Sequence, residues 1–185
     1  ARGFRGQDVK PLDPDTFWRF SVSAYAQPGV ADICLSLQDD HGFDVNLLLL
    51  CCWLAQLRSI VLSETELRFL LAEIEATNSE VIGPLRQARR WLKAPASTSG
   101  ASAAKAQRVR RLVKMAELEG ERLAQHLLIS AASALGAESC ADRMNAANLS
   151  LTAYTRIVNE TDAADALQSL ARLVVKERSK DPLPF

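Results

Sequence analysis

An uncharged apolar run constrains the fold more than any other part of this chain. The run, VNLLLLCCWLAQL from Val45 to Leu57, would be apolar on nearly every side of a helix. A helix of this kind must be surrounded by other elements. The run is also shorter than the about 20 residues that a membrane-spanning helix needs. The sequence therefore predicts a buried central helix from Val45 to about Arg58.

The other segments show helical rather than strand patterns. Asp13-Pro14, Asp44 and the Ser63 to Glu66 box are helix-start signals, and Gly42 is a helix-end signal. We expect an all-α fold, a single-domain bundle of about seven or eight helices around the central helix at about 45–58.

Weaker signals predict the remaining boundaries. We expect the helix opened by Ser63 to end near Ala76, and Ser79 to cap a separate fifth helix. A long helix should run over about 103–135, another over about 142–158, and Thr161 should cap the last. Composition indicates a mobile N-terminal arm at 1–12, a helical domain over 13–180 with a flexible loop at 94–102, and a loose tail at 181–185.

The bulk composition limits the function classes. With 22 basic and 22 acidic residues the net charge is zero, which gives no global reason to expect nucleic-acid or membrane binding. The four cysteines, Cys34, Cys51, Cys52 and Cys140, form no C-x-x-C pair, and we expect buried, inert thiols in a reducing cytoplasm. The first ten residues lack the apolar core of a signal peptide.

Polar residues crowd the start of the central helix. They are Asp39, Asp40, His41, Asp44 and Asn46. A calcium loop needs a glycine at its sixth position and a glutamate at its twelfth, which this stretch does not provide. A zinc site needs more histidines or cysteines nearby, and His126 is the only other histidine. We expect no metal and no cofactor.

Two interpretations of this polar cluster stay open. In the first, Gln38, Asp44 and Asn46 form a structural cluster in which Asp44 caps the central helix. Asn46 then finds hydrogen-bond partners at the end of the preceding helix or in Tyr25, Arg19 or Gln38. In the second, a small ligand, or an anion, binds at the helix N-terminus. The residues of that site would be Trp18, Tyr25, Gln38, Asp44 and Asn46.

A second feature is a long stretch without acidic residues. Val81 to Ala116 contains nine basic residues and a formal charge of +9. If the two helices predicted within this stretch pack against each other, six of the basic side chains form one surface. They are Arg86, Arg89, Arg90, Lys93, Arg108 and Arg111. Three interpretations of this surface stay open. Its side chains are simply solvated, its charge is balanced by the acidic stretch from Glu64 to Glu80, or it binds an acidic protein partner. Nucleic acid is a less favoured partner.

No catalytic constellation is recognisable. The chain has no G-x-S-x-G motif and no glycine-rich phosphate loop. Glu117, Glu119 and Glu121 cannot all share one helical face, so we expect no carboxylate cluster.

Several segments resemble a family of short proteobacterial proteins of unknown function. The clearest, Phe17 to Ala55, contains FWRFS, GV, LQD and DVNLLL; Pro84 to Lys93, Ala116 to Leu128 and Asn148 to Tyr154 are similar to the same family. The resemblance implies a bacterial, cytoplasmic protein and supplies no catalytic residues.

Two functional hypotheses follow from these features. The leading one is a non-catalytic interaction or adaptor protein that uses its basic surface to bind an acidic protein. The alternative is a small-molecule-binding protein or enzyme with its site at the N-terminus of the helix that starts at Val45. Asn46→Leu should preserve the fold and abolish ligand binding under the alternative.

Overall fold

The fold is all-α, with one very short strand pair. The computed structural model describes residues 11–93 and 102–176. Residues 1–10 of the predicted arm at 1–12, residues 94–101 of the predicted loop at 94–102, and the whole predicted tail at 181–185 lie outside these residues. The elements are α1 (Pro14–Tyr25), α2 (Val30–Asp39), α3 (Val45–Arg58), β1 (Ile60–Val61), α4 (Glu64–Thr77), a π-helical turn (Asn78–Ile82), α5 (Gly83–Trp91), α6 (Ala103–Ala132), β2 (Glu138–Ser139), α7 (Arg143–Val158) and α8 (Ala164–Val174).

The predicted central helix is confirmed as α3. Every residue from Val45 to Ala55 is buried, and α3 contacts α1, α2, α4, α6 and α7. Each fully buried leucine side chain contributes about 1.5–3 kcal/mol relative to an exposed one. The core of the molecule therefore surrounds α3, and Asn46 is the single buried side chain of α3 that carries an amide or a charge.

The helix-start signals at Asp13, Asp44 and Ser63 are confirmed. The side chains of Asp13 and Asp44 accept hydrogen bonds from the third residue after each of them, and Ser63 and Glu66 form the reciprocal capping box. Gly42 has a positive φ of 75°, the left-handed conformation that glycine adopts readily after a helix.

The predicted break at Ser79 is wrong. The chain remains helical from α4 through the π-helical turn into α5, so the described residues form seven continuous helical rods. Pro84 lacks the N–H that a regular helix would use here, and the N–H of Gly83 donates to the carbonyl of Asn78 instead. The turn therefore absorbs the proline without ending the helix.

Two further features of the structure also differ from prediction, the start of the last helix and the presence of a strand pair. Thr161 does not cap the last helix: α8 begins at Ala164, and Ala163 before it provides no side-chain cap. Strands β1 and β2 pair antiparallel, Ile60 with Ser139 and Val61 with Glu138. Two-residue strands are too short to show the alternation by which a sequence predicts a strand.

No helix in the described part of the chain is both long and apolar enough to cross a bilayer.

Candidate functional site

The structure brings residues of both predicted sites to one cavity, which we call the central pocket. It has a volume of about 540 Å³ and is lined by parts of α1, α2, α3, α5 and α6. From the polar cluster it includes Trp18, Tyr25, Gln38 and Asn46. From the basic surface it includes Arg86, Arg89 and Arg90. Asp44, Lys93, Arg108 and Arg111 do not line it.

One wall of the central pocket is apolar and, in the described part of the chain, largely exposed. Val22 and Tyr25 of α1 are 54% and 38% exposed, and Leu35 of α2 is 49% exposed. Leu118 of α6 continues this surface and is 53% exposed. Large exposed apolar side chains that gather around one concave surface are typical of binding sites rather than of ordinary protein surface.

The floor of the central pocket is a buried hydrogen-bonded network. The Gln125 side-chain amide donates to Asn46 Oδ1 at 2.9 Å and to Ser21 Oγ at 3.0 Å. The Asn46 amide donates in turn to the Glu121 carboxylate. These contacts satisfy the polar groups of Asn46, as burial requires, but its partners are not the predicted Tyr25, Arg19 or Gln38.

The opposite wall is charged and joins α5 to α6. Arg86 binds Glu121 at 2.8 Å through Nη2 and Glu117 at 3.4 Å through Nε, and Arg89 binds both oxygens of Glu117. The charges of the two arginines are therefore balanced within the molecule. Their balancing partners lie on α6 rather than in the predicted acidic stretch from Glu64 to Glu80.

The two glutamates of this wall have opposite pKa shifts. Burial acts to raise the pKa of the Glu117 carboxyl, but hydrogen bonds and charge from Arg89 and Arg86 outweigh it and hold that pKa below its usual value. Burial raises the pKa of Glu121, because the opposing hydrogen bond from Asn46 and charge of Arg86 do not fully compensate for it. Of these two glutamates, Glu117 is thus the one held in its charged form.

The cations of the basic surface differ in their pairing. Arg90 forms an exposed ion pair with Asp39 at 3.0 Å. Lys93, Arg108 and Arg111 are exposed and form no ion pair with a described residue. Lys114 of α6 lines the central pocket and likewise has no ion pair among the described residues. Among the described residues it is therefore the cation of the pocket lining that has no ion pair.

Asp44 is a structural residue that positions the pocket floor. Its carboxylate accepts hydrogen bonds from the backbone N–H of Leu47 at 2.9 Å and from the side chain of Asn78 at 2.8 Å, and burial raises its pKa. Its own N–H donates to the Tyr154 hydroxyl. Gln38 donates to Asp39 instead, so Gln38, Asp44 and Asn46 do not form the predicted cluster.

Sequence reasoning missed four polar residues of the pocket. They are Ser21, Glu117, Glu121 and Gln125. The spacing of the last three, i, i+4 and i+8, places them on one ridge of α6, so the signal was present in the sequence. The expectation that Glu117, Glu119 and Glu121 do not all share one helical face is confirmed, since Glu117 and Glu121 line the pocket and Glu119 does not.

The cysteines are not part of this site's chemistry. Cys34, Cys51 and Cys52 are buried as predicted, whereas Cys140 is half-buried. Burial raises the pKa of the Cys34 thiol to about 11 and that of Cys52 to about 12, so both stay protonated at neutral pH. Within residues 11–93 and 102–176, no three His, Cys, Asp or Glu side chains are grouped as ligands for a metal ion.

Comparison with known proteins agrees with the resemblance predicted from the sequence. A family model described as a protein of unknown function (DUF2390) matches residues 16–128, more than half of the chain. The match contains three of the four segments that carry the resemblance, and Asn148 to Tyr154 lies beyond it. No curated protein and no solved structure matches this chain.

Proposed function

We propose that this chain, which belongs to the DUF2390 family, is a binding protein for a small molecule and that the central pocket is its site. The function of the family is unknown. One observation carries the proposal: among the described residues, an exposed apolar wall and a buried, preformed polar floor line the same cavity of about 540 Å³. Cavities of about 300–1,000 Å³ with apolar walls and a few converging polar groups are the usual form of small-molecule sites.

The floor supports this proposal because it is already ordered. Asn46 and Gln125 are 6% and 3% exposed and are fixed by hydrogen bonds from three different helices. A preformed site loses little entropy when a ligand binds.

The test is native mass spectrometry of protein purified gently from a bacterial host. Leu35→Trp should fill the mouth of the pocket, and Leu149→Trp is its matched control, because Leu149 is 46% exposed on α7 and does not line the pocket. We expect a copurifying small molecule in the wild type and in Leu149→Trp, and its loss in Leu35→Trp. Equal occupancy in both variants, or none in the wild type, would contradict the proposal.

A second candidate function is the binding of an acidic protein. It is supported by the three exposed cations without an ion pair among the described residues, Lys93, Arg108 and Arg111. Arg86, Arg89 and Arg90 support it less, since each already binds a carboxylate. Such a protein would act as an adaptor without catalysis.

Charge reversal separates this candidate from the first. Arg108→Glu with Arg111→Glu should abolish binding to acidic proteins at low salt and leave any pocket ligand in place. The matched control is Arg68→Glu with Arg172→Glu, two exposed arginines on α4 and α8. If both double variants weaken binding equally, net charge is responsible and the adaptor role is wrong.

A further inference from the structure

We infer that the ligand of the central pocket is an amphipathic anion, a molecule with an aliphatic or aromatic body and one acidic group. This inference rests on the proposed small-molecule function and names the ligand class. The acidic group would bind Lys114 and the arginines of α5, and the body would lie against Trp18, Val22 and Leu35. The charged wall and the apolar wall of the pocket together support this inference.

The distribution of charge favours an anion. Four cations, Arg86, Arg89, Arg90 and Lys114, and two carboxylates line the pocket. Asp39, which lies outside the lining, balances Arg90. Each of the three arginines thus forms an ion pair with a carboxylate, and Lys114 forms none with a described residue, so positive charge is in surplus among the groups that line the pocket. A cationic ligand would meet this surplus charge unfavourably.

The arginines also keep unused donors. The ion pairs of Arg86 and Arg89 engage Nε and Nη2 of each guanidinium. Their Nη1 groups make no hydrogen bond with a described residue, and a guanidinium has five N–H donors in all. A ligand carboxylate or phosphate could therefore bind these groups without displacing Glu117 or Glu121.

The apolar wall specifies the rest of the ligand. Val22, Leu35 and Leu118 are each about half exposed at the pocket rim, and Trp18 lies beside them with Arg122 5.7 Å above its ring. Covering this wall with an apolar body removes apolar surface from water, which stabilises a complex. A small, fully polar anion would leave the wall exposed.

Calorimetric titration with three probes of equal chain length tests the ligand class. The probes are decanoate, decanol and decylammonium. We expect decanoate to bind most tightly and decylammonium most weakly. Lys114→Gln should weaken decanoate binding by about tenfold, since a hydrogen bond to a charged group is among the stronger ones. Lys105→Gln, an exposed lysine of α6 that does not line the pocket, should change nothing.

The outcomes separate the two proposals. Leu35→Trp should abolish decanoate binding if the pocket is the site. If decanol or decylammonium binds as tightly as decanoate, or Lys114→Gln has no effect, the anionic class is wrong while the pocket survives. If a molecule copurifies in the pocket but no probe binds, the class is again wrong. If nothing copurifies and no probe binds, both proposals fail.

Discussion

Asn46 shows how one polar side chain in an apolar helix can organise a site. Its amide group accepts from Gln125 and donates to Glu121, which connects α3 to α6 beneath the pocket. Burying such a group without partners would be costly, so its hydrogen bonds are a condition of the fold.

Asn46→Leu should therefore destabilise the protein as well as abolish ligand binding. It leaves Glu121 and Gln125 with unpaired polar atoms, and we expect the free energy of unfolding to fall by about 1–3 kcal/mol. Chemical denaturation measures this free energy. Asn145→Leu, at an exposed position in the first turn of α7, should change it by less than about 0.5 kcal/mol. Equal effects would show that Asn46 has no special structural role.

Glu117 predicts a defined pH dependence. The arginines hold its folded pKa below the usual 4.5, so its carboxylate stabilises the fold above that pH, and the stabilisation is lost as the pH falls through the folded pKa. Glu117→Gln should destabilise the protein near neutral pH, and the difference from wild type should shrink below about pH 4.5. Denaturation of both proteins across this pH range measures the difference.

Glu119 provides the control for this prediction. It lies two residues away on the exposed side of α6. Glu119→Gln should leave stability nearly unchanged at every pH, because exposed charges contribute little. A Glu117→Gln difference that stays constant below pH 4.5 would mean that its ion pairs with Arg86 and Arg89 are not the cause.

Among the elements, the contact between α6 and the π-helical turn depends on Gly120. A Cβ atom at this position would lie 3.0 Å from Ile82 Cγ1, closer than ordinary van der Waals contact. Gly120 therefore lets α6 approach the turn, and this approach sets the distance between the α6 carboxylates and the α5 arginines.

A double-mutant cycle tests this contact. Alanine is favoured over glycine inside a helix by about 1 kcal/mol. Gly120→Ala should fail to give this gain in the wild type, because the methyl group meets Ile82, and should give it in an Ile82→Ala background. Thermal or chemical unfolding of the four proteins measures the coupling. The same gain in both backgrounds would show that the close approach is unimportant.

The elements also show which features a sequence can predict. The caps at Asp13, Asp44 and Ser63 were predictable because each depends on a few neighbouring residues. The continuous helix through Ser79 was not, because a serine that could cap a helix remains helical when its neighbours pack well. At Ser79 and Pro84, tertiary packing and the π-helical turn override the local signals.

At the scale of the whole molecule, the site depends on long-range packing. Trp18, Asn46 and Arg86 lie on α1, α3 and α5, and the sequence pattern of each helix contains no information about the others. Two separate candidate sites were therefore predicted, whereas the structure brings residues of both to one pocket. The α6 ridge of Glu117, Glu121 and Gln125, which joins them, was recognisable only as a spacing.

A nuclear magnetic resonance titration of isotope-labelled protein with decanoate tests most directly whether the central pocket is a ligand site. We expect saturable shifts of the side-chain amide signals of Asn46 and Gln125, together with the backbone signal of Lys114. Leu35→Trp should abolish these shifts. Shifts that gather instead at the separate cavity of about 630 Å³ beside Leu54 and Ile60, or the absence of any saturable shift at Asn46 and Gln125, would contradict a ligand site in the central pocket.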